Sequence, residues 1–160
     1  MDKLAIPRQP GLIEALGRLA VAHTHLELIL RYAVKTLAGL SVNDALDATN
    51  RNPTSEVRNK IKKLFREKKP FPSEETQLEA LLGAAQRLSE KRNAFLHSAW
   101  SETEAGEAIQ KQENHQWGRA PSQAEVDQVT SEILELAKKI NDARLTGFIC
   151  GVVRRHKENG

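Results

Sequence analysis

Apolar residues recur at three- and four-residue steps over four stretches of this chain, the period of an amphipathic helix. In the first stretch Leu12, Leu16, Leu19, Ala20, Leu26, Leu30, Ala33, Val34 and Leu37 form one stripe. It predicts a helix that starts after Pro10-Gly11 and stops at Gly39, a residue suited to the left-handed position past a helix end. Ser41 can cap a short turn through Asp47, with Asp44 in the capping-box position, before Asn50-Arg51-Asn52-Pro53 breaks it. Val57, Ile61, Leu64 and Phe65 give a narrow stripe on a second helix, from about Thr54 to Lys68. Pro70-Phe71-Pro72 forces an extended turn. Ser73 is then expected to cap a long helix, with Glu74 and Glu75 in the first turn, where the helix dipole favours anions. Its stripe is Leu78, Leu81, Leu82, Ala85, Leu88, Phe95, Leu96 and Ala99, and it should end at or just after His97.

From 98 to 121 the helical period fails. Ala108-Ile109-Gln110-Lys111-Gln112 hints at strand alternation, and Glu104-Ala105-Gly106 suits the turn of a small hairpin begun by Ala99-Trp100-Ser101. Trp100 and Trp117 are expected to pin this segment to the helices, and His115 to be exposed. Ser122 and Glu125 then form a capping box, and Val126, Val129, Ile133, Leu136, Ala137 and Ile140 carry a last helix. The spacing allows that helix to continue through Leu145, Phe148, Ile149, Val152 and Val153, with Gly147 and Gly151 weakening it or permitting close packing. The basic tail, 154–160, is expected to fray. The fold class is therefore all-α: one domain over 1–160, an antiparallel bundle of four to five helices with a short irregular or β-hairpin insertion after the third.

Composition narrows the function classes. A chain of 160 residues can bury a real core as one domain. The single Cys150, set among Phe148, Ile149, Val152 and Val153, reads as a small core residue and excludes both a disulfide framework and a thiolate metal site. His23, His25 and Glu27 cluster, but the two imidazoles project roughly 200° apart on a helix and cannot share an ion. No metal and no cofactor is expected. No segment approaches the length of a membrane span and no signal peptide is read, so the expected place is the cytoplasm.

The net charge of +3 is unevenly spread. Arg58, Lys60, Lys62, Lys63, Arg66, Lys68 and Lys69 stand against Glu67 alone, a local +6 on the second helix. Such a face is either a solvated surface or, led by Arg58, Lys60, Lys62, Lys63 and Arg66, a phosphate-binding surface for RNA. No aromatic stacking pattern accompanies it, so sequence-specific reading of single strands is not indicated.

The sharpest chemical feature is Glu90-Lys91-Arg92-Asn93-Ala94-Phe95-Leu96-His97. Arg92 stands four after Leu88 and three before Phe95, where the stripe would call for a Leu. A guanidinium is almost never buried unpaired, so Arg92 needs a partner carboxylate or a wet cleft. Asn93 and His97, four apart, share a neighbouring face. On the first helix His23 lies inside the stripe with Glu27 one turn further. These two either satisfy each other at the core edge or stand beside Arg92 and hold its geometry.

Arg92, Asn93, three intervening residues and His97, late in a bundle helix, resemble the motif of the HEPN superfamily, small helical nucleotide- and RNA-binding domains found in many toxins and defence proteins. Arg18 also stands at an allowed spacing from His23 and His25, but Leu19 follows it, so Arg92 alone carries the polar second residue. The resemblance implies a metal-independent endoribonuclease, with His97 as acid or base, Arg92 as phosphate clamp and Asn93 as positioner. It further implies 2′,3′-cyclic phosphate and 5′-hydroxyl products, a homodimer with a composite active site, and a toxin or host-defence role with an antitoxin partner. Imidazole suits both proton roles near neutral pH, and a guanidinium matches phosphate oxygens in pairs. Two other readings remain open: a HEPN-like module that binds RNA, a nucleotide or a protein without cleaving, and a helical adaptor in which Arg92 pairs a buried acid such as Glu27.

Overall fold

A computed structural model of the protein describes residues 5–159. Six helices and three short strands follow one another as α1 (Pro10–Ala38), α2 (Val42–Asp47), α3 (Thr54–Glu67), α4 (Pro72–His97), β1 (Trp100–Glu102), β2 (Ala108–Lys111), β3 (Trp117–Arg119), α5 (Gln123–Leu145) and α6 (Phe148–Glu158). The fold is the expected helical bundle with a small β insertion after the motif helix. Among the described residues no helix is long and apolar enough to cross a membrane.

The central element is α1, which packs on α5, α3, α4, α2 and α6. Pro10 begins it, where a missing N–H costs nothing, and Gly39 ends it at φ 68°, its N–H bonded to the Lys35 carbonyl. The core takes Leu12, Ala15, Leu19, Leu26, Leu30, Val34 and Leu37 from α1, Val57, Ile61 and Phe65 from α3, Leu78, Leu82, Ala85 and Leu88 from α4, and Val126, Ile133 and Ile140 from α5. Ser41 caps α2 as expected, accepting the Asp44 N–H at 3.1 Å. Ser122 and Glu125 likewise form the expected reciprocal cap of α5. Arg119 of β3 clamps Glu125 through bonds of 2.7 and 2.8 Å, and together with the bonds from Ser122 this holds the carboxyl down at about 2.

The start of α4 differs from expectation. Ser73 is exposed and does not cap; the helix begins at Pro72, two residues earlier than a Ser73 cap implies, and the fixed φ of proline suits the first helical position. The free N–H of Phe71 goes instead to the Glu74 carboxylate at 2.8 Å. That carboxylate, only 10 % exposed, also receives Arg155 at 2.6 and 2.7 Å, and the Arg155 guanidinium lies 4.4 Å from the Phe71 ring centre. The basic tail is therefore not frayed: it is helical through Glu158 and clasped to the start of α4.

The clasp is possible because the last helix does not run on. Thr146 and Gly147 separate α5 from α6. A Cβ on Gly147 would lie 2.9 Å from the Ala143 Cα, so this corner admits only glycine without displacement. The corner brings Phe148 edge-on to Phe65, with centroids 5.8 Å apart. Cys150, expected in the core, is instead partly exposed on α6.

The insertion is a three-stranded antiparallel sheet in the order β1-β2-β3, with Trp100 opposite Gln110 and Lys111 opposite Trp117. Gly106, at φ 83°, makes the expected turn, and β3 is an addition to the expected hairpin. The sheet closes the end of α4, whose last carbonyls lack helical partners. Gln110 donates to the carbonyls of Ala94 and Phe95 at 2.8 and 3.0 Å, and the Trp100 indole donates to Phe95 at 3.1 Å. Trp100 thus packs against the bundle as expected, whereas Trp117 stays on the sheet under the Lys111 ammonium, 5.5 Å away.

Replacing Glu74 by Ala removes both the bond to Phe71 N–H and the seat of Arg155. It is expected to lower stability by about 1–3 kcal/mol, while Ser73→Ala should change it by less than about 0.5 kcal/mol. Urea denaturation followed by circular dichroism checks both values, and equal effects of the two changes would contradict this account of the helix start.

Candidate functional site

Arg92 is partly buried near the C-terminal end of α4, facing α1. Its Nη1 donates to Asn93 Oδ1 at 2.9 Å and meets His97 Nε2 at 3.0 Å. A guanidinium carries only donors, so His97 Nε2 must be the acceptor, which makes the ring neutral with its proton on Nδ1. Arg92 Nε is buried and has no hydrogen-bond partner among the described residues. No carboxylate lies within ion-pair distance of Arg92 among the described residues. Glu27, the acid proposed for that pairing, accepts instead from the Thr54 hydroxyl at 2.6 Å and faces His23 Nδ1 at 3.8 Å. The motif is therefore a cluster of one cation and two neutral polar groups beside open space.

That space is a cleft of about 340 Å³ walled by α1, the start of α3 and α4, and lined in part by His23, Glu27, Thr54, Arg58, Ser89 and Arg92. Helical spacing explains the α4 wall, because Ser89, Arg92 and Asn93 stand three and four apart and share a side. His23 is only 4 % exposed and bonds Ser89 Oγ at 3.0 Å, which fixes α1 against the motif turn. It stands beside Glu27 and shares the wall of this cleft with Arg92. Burial pushes the imidazole of His23 below its ordinary 6.5, Glu27 pulls it up, and the charges of Arg92 and Arg58 push it down. The 3.8 Å approach to Glu27 is accordingly a contact of a neutral ring rather than an ion pair.

His97 opens on the other side of the helix end, toward a second cleft under the sheet that also contains Lys111, Gln112 and Glu113. Glu90 and Asn93 line both clefts, so the two meet at the motif. Asn93 bonds the guanidinium rather than the imidazole and thereby orients Arg92.

The basic face of α3 divides. Arg58 enters the first cleft, where burial lowers its pKa and the charge of Glu90 opposes that shift. Lys62 pairs with Glu79 at 2.8 Å, and Arg66 reaches Glu75 at 3.2 Å and Glu79 at 3.4 Å, so these two tie α3 to α4. Lys60 and Lys63 form no ion pair among the described residues and flank the face. His25 and His115 are exposed and away from the cluster. A further groove between α4 and α5, containing Ala84, Leu88 and Leu136, includes none of the motif side chains.

Ser89, Thr54 and Lys111 line or support the site and carry no signal of their own in the sequence. Only Ser89, one turn before Arg92, could have been found, by projecting the motif helix. Neither a known protein family, nor a curated protein, nor a solved structure matches the chain.

The unfolded imidazole of His23 takes up a proton near pH 6.5 and the folded one only at lower pH. The unfolded state thus binds more protons below 6.5, so this contribution to stability is full above pH 6.5 and declines as pH falls. Denaturant melts between about pH 7.5 and about pH 5 should show that decline, and His23→Gln should flatten it. An unchanged slope in the variant would mean that His23 is not the group responsible.

Proposed function

We propose that this protein is an endoribonuclease of the HEPN type that cuts RNA without a metal. The observation that carries the reading is the Arg92 cluster: a guanidinium without a carboxylate, bonded through one nitrogen to Asn93 and to the acceptor nitrogen of His97. A guanidinium that served only to join the helices would be matched by a carboxylate, whereas Arg92 is partly buried and turns its charge to an open cleft. Here the protein leaves the counter-charge to a ligand. A phosphate diester supplies it and displaces the internal bonds of Nη1.

In the reaction, His97 Nε2 accepts the proton of the ribose 2′-hydroxyl. The 2′-oxygen attacks phosphorus, Arg92 bonds the phosphate oxygens as charge builds, and the bond to the 5′-oxygen breaks. The leaving 5′-oxygen takes a proton from an acid, giving a 2′,3′-cyclic phosphate and a 5′-hydroxyl. One motif supplies one exposed imidazole, since His23 is buried and bonded to Ser89. A symmetric dimer that faces two motifs across the clefts provides the second His97 as that acid.

Purified protein incubated with total tRNA and mRNA in excess chelator should leave cyclic-phosphate ends. His97→Ala and Arg92→Ala should each lower the rate by about 10²-fold or more. Arg92→Ala should fold with stability within about 1 kcal/mol of the parent, because no buried carboxylate is orphaned. If wild type and His97→Ala are both folded and neither cuts, the reading passes to a HEPN-like module that binds RNA or a nucleotide without cleaving. A loss of several kcal/mol in Arg92→Ala would instead favour the structural adaptor.

A further inference from the structure

The cleft beside Arg92 holds more than a phosphate clamp. Its cations, Arg58 and Arg92, form no ion pair among the described residues. Glu27 of α1 lines the same cleft, bonded by the Thr54 hydroxyl at 2.6 Å and 3.8 Å from His23 Nδ1. Its side chain remains 33 % exposed, and the residue lines the cleft. A carboxylate in this position weakens the attraction of the two guanidiniums for a bare phosphate. It becomes favourable when the ligand also offers hydrogen-bond donors at that wall.

A cleft of about 340 Å³ is the size of a small-molecule site. The ligand that fits these groups carries a phosphate at one end and a ring with paired N–H donors at the other. Guanine presents its N1–H and amino N–H side by side, and a carboxylate accepts both. Adenine and cytosine place one amino group next to an unprotonated ring nitrogen, which a carboxylate repels. Uracil flanks its single N–H with two carbonyl oxygens.

We propose that this cleft seats the guanine base of a nucleoside 3′-phosphate, with Glu27 as the specificity-determining acceptor and Arg92 and Arg58 on the phosphate. The inference rests on the ribonuclease reading for its place in the reaction. Attack by a 2′-hydroxyl leaves the phosphate on the attacking nucleotide's own ribose. A guanosine seated here by its own 3′-phosphate lies on the 5′ side of the cut, and cleavage follows guanosine.

The test is calorimetric titration of the full chain with 3′-GMP, 3′-AMP, 3′-CMP and 3′-UMP at one fixed salt concentration. The parent should bind 3′-GMP about tenfold more tightly than 3′-UMP, the discrimination of one bidentate pair. Glu27→Gln turns one acceptor into a donor and should bring the four nucleotides to within about twofold of one another, with phosphate affinity retained. Arg92→Ala should weaken all four together. If Glu27→Gln does not fold, Glu27→Asp keeps the charge, draws it back by one methylene, and should shrink the preference. Equal binding of the four by the parent, no measurable binding of 3′-GMP, or a preference that survives in the folded Glu27 variant would overturn the assignment. Titration requires no cleavage, so the two readings fail separately. A guanine preference in a protein that cuts no RNA keeps this site and removes the nuclease. RNA cutting without that preference does the reverse.

Discussion

A guanidinium at the edge of a helical core has to be satisfied by something, and here the protein offers it only neutral groups. Arg92 sits in the apolar stripe of α4, so its stem packs where a Leu would while its head meets Asn93 and His97. One nitrogen is buried without a partner among the described residues, an arrangement that folded proteins rarely keep. Everything around the cluster holds that head in place without neutralising it. His23 and Ser89 fix α1 against the motif turn, and Thr54 of α3 bonds Glu27. Arg58 adds a second positive charge rather than a compensating negative one.

Both ends of α4 are tied by contacts far away in the chain. At its C-terminal end the carbonyls of Ala94 and Phe95, both within the motif, take bonds from Gln110 and Trp100 of the sheet. At its start Glu74 is held by Arg155, 81 residues later. A helix terminus left to itself frays within a turn, and a turn of fraying at this end would dissolve the Arg92–His97 geometry. The insertion is thus part of the site's support, and through Lys111 it also supplies one wall of the second cleft.

These ties mark what could be read along the chain. The stripes of α1 and α4 were legible because burial imposes a local period, and the Ser122–Glu125 cap because its partners stand three apart. Arg92 was legible as a charge in an apolar position. The strand Trp117–Arg119 was not, since three residues carry no alternation of their own and become a strand only by pairing with β2. The break at Gly147 depended on the close approach of Ala143, and the order of the tail on a carboxylate at the other end of the bundle. Ser73 read as the cap because a local rule could not register that Glu74, fixed from α6, would take the Phe71 N–H. The division of the basic face followed from Glu75 and Glu79 of α4, which the sequence of α3 does not contain.

The acids in the first cleft bear on what kind of ligand the site can favour. Arg58 and Arg92 would, alone, make an attractive but undiscriminating anion trap, since phosphate contacts set position and affinity rather than identity. Glu27 and Glu90 line the same cleft and offset that attraction. The imidazole beside Glu27, His23, is pushed below its ordinary pKa by burial and by the two guanidiniums. A simple anion therefore meets opposing carboxylates as well as cations and gains little. A ligand that brings donors to the carboxylates and an anion to the guanidiniums satisfies both sets at once. Discrimination then arises from what the cleft repels as much as from what it attracts, which is how a small polar site achieves selectivity without a large buried surface.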